Sequence, residues 1–211
     1  SRLTGKKHIL LTNRGNVSIR LALRYAKSLG YKRLLTQDQG GWLTYGQFAK
    51  KEKLELVELK TDHGRVKMED LENHSDCILL INSMPGYLAL QDMKELYKVC
   101  KESNIFVIND ASGSIGTEEA MHGDIILASF GIDKPINVGA GGFIAATDEK
   151  ARDFLDSVNP DANIDEEKLL ACLENLDDRL LKLKSAKDKL IKALHSAEFA
   201  PKVILEHENG I

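Results

Sequence analysis

Residues 105–146 read IFVINDASGSIGTEEAMHGDIILASFGIDKPINVGAGGFIAA, and the fold of the whole chain turns on them. Two short apolar runs, Ile105–Ile108 and Ile125–Ala128, are rich in β-branched residues and end in polar or small ones. Strands buried on both faces of a parallel sheet have this pattern, because helices cover both sides. The first run leads to an acid, Asp110. The second leads to Ser129, with Lys134 five residues later. A third apolar run, Phe143–Ala146, follows the glycines Gly139, Gly141 and Gly142. In open α/β sheets ligands bind beyond the carboxyl ends of the strands. Asp110 and Lys134 are therefore expected to face one crevice, an acid and an amine together.

Outward from this stretch, strand-like and helix-like segments alternate over residues 8–146, as in a doubly wound, mainly parallel α/β sheet. On the N-terminal side, His8–Leu11 is a strand candidate. It runs through Thr12-Asn13-Arg14-Gly15-Asn16-Val17-Ser18 into a helix with Val17, Leu21, Tyr25 and Leu29 on one stripe and Gly30 as its stop. A polar, glycine-containing helix entry offers free N–H groups and the positive end of a dipole, which suits a phosphate. Strand candidates follow at Lys32–Thr36, Leu54–Leu59 and Cys77–Ile81. Helix candidates fall at Phe48–Lys53, Met68–Leu71 and Leu88–Glu102. The second strand opens into Gly40-Gly41-Trp42, with Tyr45 just beyond, and the fourth into Asn82-Ser83-Met84-Pro85-Gly86.

An acid and a lysine at neighbouring strand ends, with a serine and a glycine-rich turn, are the parts a pyridoxal phosphate (PLP) site requires. V-x-x-D-A-S-x-x-x-G followed by S-F-x-x-x-K and G-x-G-G resembles the DegT/DnrJ/EryC1/StrS aminotransferases, within the fold type I PLP enzymes. D-A-S-G with S-F-x-x-D-K is also similar to the selenocysteine-synthase-like (SelA-like) proteins. Ser112 and Gly113 match that second branch, since DegT-type enzymes usually carry a larger polar residue there. The resemblance implies a Schiff base on Lys134, Asp110 as partner of the ring nitrogen, and Ser129, Asn13, Gly15, Asn16 and Ser18 around the phosphate. It also implies Trp42 stacked on the ring, Asn82 near the phenolic oxygen and Ser112 beside the ring. The expected function is a PLP-dependent, aminotransferase-like transfer on an amino acid or amino sugar. The alternatives are a SelA-like C–S or C–Se enzyme, which would bring a tRNA-linked substrate, and a shortened, non-catalytic PLP-fold protein.

Composition narrows the classes further. The chain of 211 residues is 43% hydrophobic and 29% charged, with net charge −3, which leaves no basic footprint for nucleic acid or an anionic membrane. Cys77, Cys100 and Cys172 are odd in number and lack metal or disulfide spacing, and the six histidines are scattered. No metal site is expected. No G-x-G-x-x-G before a helix and no P-loop appears, so a dinucleotide or NTP site has no support. No apolar run approaches the ~20 residues of a membrane span, no leader is evident at the N-terminus, and the expected compartment is the cytoplasm.

The pattern changes after Ala146. Thr147–Val158 reads as a helix, residues 159–163 as a break, and 165–195 as one long leucine-lined helix, with a last strand candidate at Val203–Leu205. The expected organisation is a PLP-binding large domain over 1–158 and a helical C-terminal segment over 159–211, a rudimentary small domain. The leucine stripe predicts a homodimer, unless that helix folds back over its own sheet.

Overall fold

The computed structural model describes residues 2–86, 89–158 and 162–196. Seven strands form one sheet: β1 (His8–Thr12), β2 (Arg33–Gln37), β3 (Glu55–Leu59), β6 (Ile78–Asn82), β7 (Phe106–Asp110), β8 (Ile125–Ser129) and β9 (Gly142–Ala146). Between β3 and β6 lies a two-stranded hairpin of β4 (Thr61–Asp62) and β5 (Arg65–Val66). The sheet order is β1-β9-β8-β7-β6-β2-β3, and every neighbouring pair is parallel except those made by β9. The third apolar run of the deciding stretch is thus the single antiparallel strand of this sheet. It lies between β8 and β1, and the connection that returns it beside β8, residues 130–141, holds no helix.

Helices α1 (Gly15–Ser28), α2 (Thr44–Lys51) and α5 (Glu149–Val158) cover one face, where Leu34, Ile78, Leu80, Ile108 and Leu127 meet Leu23, Ala26, Phe48 and Leu155. On the other face α3 (Met68–Leu71) and α4 (Met93–Glu102) cover Leu35, Leu79, Ile81 and Val107. Successive strand residues point to opposite faces, so alternate members of one apolar run feed two cores. The doubly wound reading holds.

Local boundaries differ where capping chemistry outweighs hydrophobic pattern. α4 begins at Met93, not at residue 88, because the Asp92 carboxylate accepts the Glu95 N–H and fixes the start there. Leu90 is buried without being helical. α2 starts four residues earlier than the pattern suggests, which draws Tyr45 into its first turn. The leucine-lined stretch is two helices, α6 (Glu166–Glu174) and α7 (Leu176–Ser196), interrupted at Asn175. The strand expected at Val203–Leu205 lies outside the described residues.

α6 and the start of α7 lie back on the sheet. Leu169 and Leu176 are buried with Ile126, Ala128, Phe143 and Ala145, and Leu173 and Leu180 pack on the same cluster. This corrects the dimer argument drawn from the leucine stripe: the chain's own sheet covers its first half. Leu181 and Leu190 stay exposed. Among the described residues, no helix is long and apolar enough to cross a membrane, and no group of three or more His, Cys, Asp or Glu side chains could hold a metal.

Candidate active site

Three neighbouring parallel strands end in polar side chains: Asn82 on β6, Asp110 on β7 and Ser129 on β8. Asn82 and Asp110 are cross-strand partners in register. Beyond these ends opens a cavity of about 420 Å³, lined by all three together with Gly15, Asn16, Trp42, Ser112 and Lys134. Its size falls in the usual range for small-molecule sites.

Asp110 is only 4% exposed, yet its side chain borders the cavity. A buried carboxylate needs donors, and two are fixed. The Ser112 N–H donates to Oδ1 at 3.1 Å, and the Tyr45 hydroxyl donates to Oδ2 at 2.6 Å. Ser112 continues the network, its Oγ accepting the Ser129 N–H at 2.8 Å. Ser129 Oγ accepts the Gly131 N–H at 3.2 Å, which leaves its own proton to donate into the cavity. Tyr45 is fully buried; desolvation, with the Asp110 charge beside it, raises its pKa well above the usual phenol value. It therefore stays a hydroxyl donor across the working pH range.

The start of α1 abuts the end of β8 and continues this wall. Arg14 is its extended N-cap, no side chain caps the helix and no acid lies in its first turn. The first N–H groups of a helix have no partner within it, so this end presents donors and partial positive charge. Gly15 is required for close approach: a Cβ there would lie 2.7 Å from Ser129 Cβ and 3.2 Å from Ser129 Cα. Trp42 is half exposed, and its indole N–H donates to Asn16 Oδ1 at 2.9 Å, tying the candidate stacking residue to this helix end.

Lys134 ends a turn closed by its own N–H on Gly131 O, with Asp133 in the left-handed region at φ +70°. The C-terminal segment steadies this turn from behind. Arg179 Nε on α7 donates to Lys134 O at 3.2 Å. At Gly141, φ +93°, a Cβ would sit 3.0 Å from Ile164.

Of the ten predicted site residues, eight line the cavity. Asn13 and Ser18 do not. Asn13 Oδ1 accepts the Asn163 N–H at 2.9 Å and so ties the C-terminal segment down, while buried Ser18 bonds Thr12 Oγ1 at 2.7 Å behind the wall. Asn82 reaches the cavity with its amide engaged. Oδ1 accepts Met84 N–H, closing an Asx turn, and Nδ2 donates to Gly40 O. Sequence reasoning passed over Arg14, Ile19 and Ile132, which also line the cavity, whereas Gly139 and Gly141 of the expected glycine-rich turn do line it. Arg14 carried a signal, since a cation at a helix entry is unusual in a position that prefers Ser, Thr, Asp or Asn. The Tyr45–Asp110 bond carried none beyond proximity to Trp42.

The family model for DegT/DnrJ/EryC1/StrS aminotransferases matches residues 1–159. The chain belongs to that family. The resemblance read from V-x-x-D-A-S-x-x-x-G, S-F-x-x-x-K and G-x-G-G is thereby borne out. Solved structures of similar fold include a DegT DnrJ EryC1 StrS aminotransferase from Brucella abortus, with TM-score 0.70 and 17% identity over 90% of this chain and 59% of that one. NtdA from Bacillus subtilis with bound cofactor PMP has TM-score 0.68 and 18% identity, covering 90% of this chain and 49% of that one. The E. coli GDP-4-keto-6-deoxy-D-mannose-3-dehydratase with bound hydrated PLP has TM-score 0.73 and 14% identity, covering 92% and 62%. The chain spans between about half and three-fifths of these proteins' lengths. No curated protein sequence matches it.

Proposed function

We propose that the cavity binds pyridoxal 5'-phosphate and that the protein is an aminotransferase-like enzyme for a small amino substrate, an amino acid or amino sugar. The observation that carries this reading is the convergence of buried Asp110, Lys134 and the uncapped start of α1 on one cavity of suitable size. When bound, PLP supplies an aldehyde that condenses with amines and a protonated pyridine ring that withdraws electrons from the neighbouring carbon.

The remaining work falls to the chain's own residues. The α1 entry at Gly15 and Asn16, with the Ser129 hydroxyl, holds the phosphate. The close Gly15–Ser129 contact lets backbone donors and hydroxyl converge on one anion. Asp110, an acceptor with two fixed donors, keeps its remaining lone pairs for the ring N–H, a charge-assisted bond. Trp42 covers a ring face, while Asn82 and Ser112 shape the side wall. Lys134 Nζ would be the attachment point for the aldehyde and, when free, the base able to take and return a substrate proton.

The proposed assembly is a homodimer, now with its interface at the cavity rim. Leu43 is 83% exposed, Ile132 71% and Trp42 50%, with Ile132 and Trp42 lining the cavity and Leu43 adjoining Trp42. Clustered exposed apolar side chains mark an interaction surface. The functional test is turnover: purified protein loaded with PLP and offered a panel of amino donors should release the matching keto acids. A loaded protein that converts no donor would contradict the transferase reading.

A further inference from the structure

Tyr45 stands apart from the residues that the family motifs single out. It lies on α2, one turn past the glycine pair, and its ring edge packs against Gly41, where a Cβ would be 3.2 Å from Cδ2. Its N–H donates to Trp42 O at 3.0 Å. Its hydroxyl donates to Asp110 Oδ2 at 2.6 Å, short for an O–H···O bond and in the range for a charged acceptor. One turn of backbone thus carries both the residue proposed for the ring face and a donor to the residue proposed for the ring nitrogen.

We infer that Tyr45 is a positioning residue that fixes the plane and the charge of the Asp110 carboxylate toward the cofactor ring nitrogen. The inference rests on the PLP reading above. Two donors in different directions define a carboxylate plane, because Ser112 N–H holds Oδ1 while the Tyr45 hydroxyl holds Oδ2. With Ser112 alone, the group would keep one anchor and could turn about its Cβ–Cγ bond. The phenol ring is 2% exposed, so water does not replace it as a donor without a rearrangement of the wall. Burial keeps the hydroxyl protonated, so the donor persists in alkaline solution.

The test is a double-mutant cycle on cofactor affinity, read from fluorescence of Trp42, the only tryptophan. Wild type, Tyr45→Phe, Asp110→Asn and the double variant are titrated with PLP. Tyr45→Phe should bind PLP about tenfold more weakly, the scale of one hydrogen bond to a charged group. In the Asp110→Asn background the same change should have no further effect, because the residue acts through that carboxylate. Equal affinity of Tyr45→Phe and wild type, or equal weakening in both backgrounds, would overturn the inference and leave the PLP reading intact. A folded wild type that binds no PLP would overturn both. Should Tyr45→Phe fail to fold, Tyr45→Met, which also lacks the hydroxyl donor, enters the cycle with the same criteria.

Discussion

Gly15, the first residue of α1, and Ser129, the last of β8, approach so closely that no side chain fits between them: a Cβ on Gly15 would stand 2.7 Å from Ser129 Cβ. The helix end and the strand end form a single wall, and Gly15, Asn16 and Ser129 all line the cavity.

Gly15→Ala must therefore push α1 off β8. Overpacking of this kind costs roughly 1–3 kcal/mol, and the displaced donors no longer converge. A lower thermal midpoint of the cofactor-free protein and at least tenfold weaker PLP binding are expected. Ser129→Ala should keep the thermal midpoint within a few degrees and weaken binding by about tenfold, the loss of one hydrogen bond to a charged group. Calorimetry and cofactor titration separate the two variants.

Asp110→Asn changes charge with little change of shape. The amide oxygen still accepts from one neighbour, so the fold should persist, but a neutral group cannot hold the ring nitrogen protonated. Single-turnover proton abstraction from an amino donor should fall by about a hundredfold or more, the scale for losing one preorganised electrostatic partner. An unchanged rate would remove Asp110 from its assigned place.

The C-terminal helices test a different link. Arg179 on α7 holds the carbonyl of Lys134, and Leu176 is fully buried under the sheet. Leu176→Ala should cost about 2–5 kcal/mol as a core truncation. Leu190→Ala, on the exposed side, should change the unfolding free energy by less than about 0.5 kcal/mol. Arg179→Ala should leave the midpoint nearly unchanged and slow PLP attachment, followed by stopped-flow absorbance.

Alkaline pH gives a further check. Burial pushes the Cys77 thiol up to about 11 and Cys100 to about 12. Both are neutral in the fold, whereas in the unfolded chain they lose protons near the ordinary thiol value of 9.0. The unfolded state then binds fewer protons, so stability is complete below pH 9 and declines as pH rises toward 11 and 12. Urea midpoints from pH 8 to 11 should fall along that course. Thiolate, not thiol, is the nucleophile, so at pH 8 the partly exposed Cys172 should react with a maleimide well before the other two.

The dimer prediction is equally direct. Light scattering should give about twice 23.4 kDa. Leu43→Glu with Ile132→Glu should return a monomer, and Leu181→Glu should not. A dimer indifferent to the rim pair would put the interface elsewhere.

Much of this arrangement is legible in the sequence because burial leaves a strong local signal. Runs such as Ile78–Ile81 and Ile125–Ala128 can be little else than inner strands, and their polar ends then fall at one edge of the sheet, Asn82 level with Asp110 and Ser129 just beyond. What is not legible depends on which partner a side chain finds once the chain is folded, near or far. Ser18 looks like a cavity residue until Thr12 captures its hydroxyl, and Asn13 until Asn163 arrives from 150 residues away. The leucine stripe has the same amphipathic pattern whether a partner subunit or the chain's own sheet covers it. Tyr45 reads as an aromatic behind Trp42, since only the folded chain brings its hydroxyl to Asp110.

The central claim is that this cavity holds PLP on Lys134. Incubation with PLP, borohydride reduction and peptide mass mapping test it in one measurement. A stable pyridoxyl mass is expected on the peptide containing Lys134, and none there in Lys134→Ala. A label on a different lysine, or no label on folded protein, would contradict it.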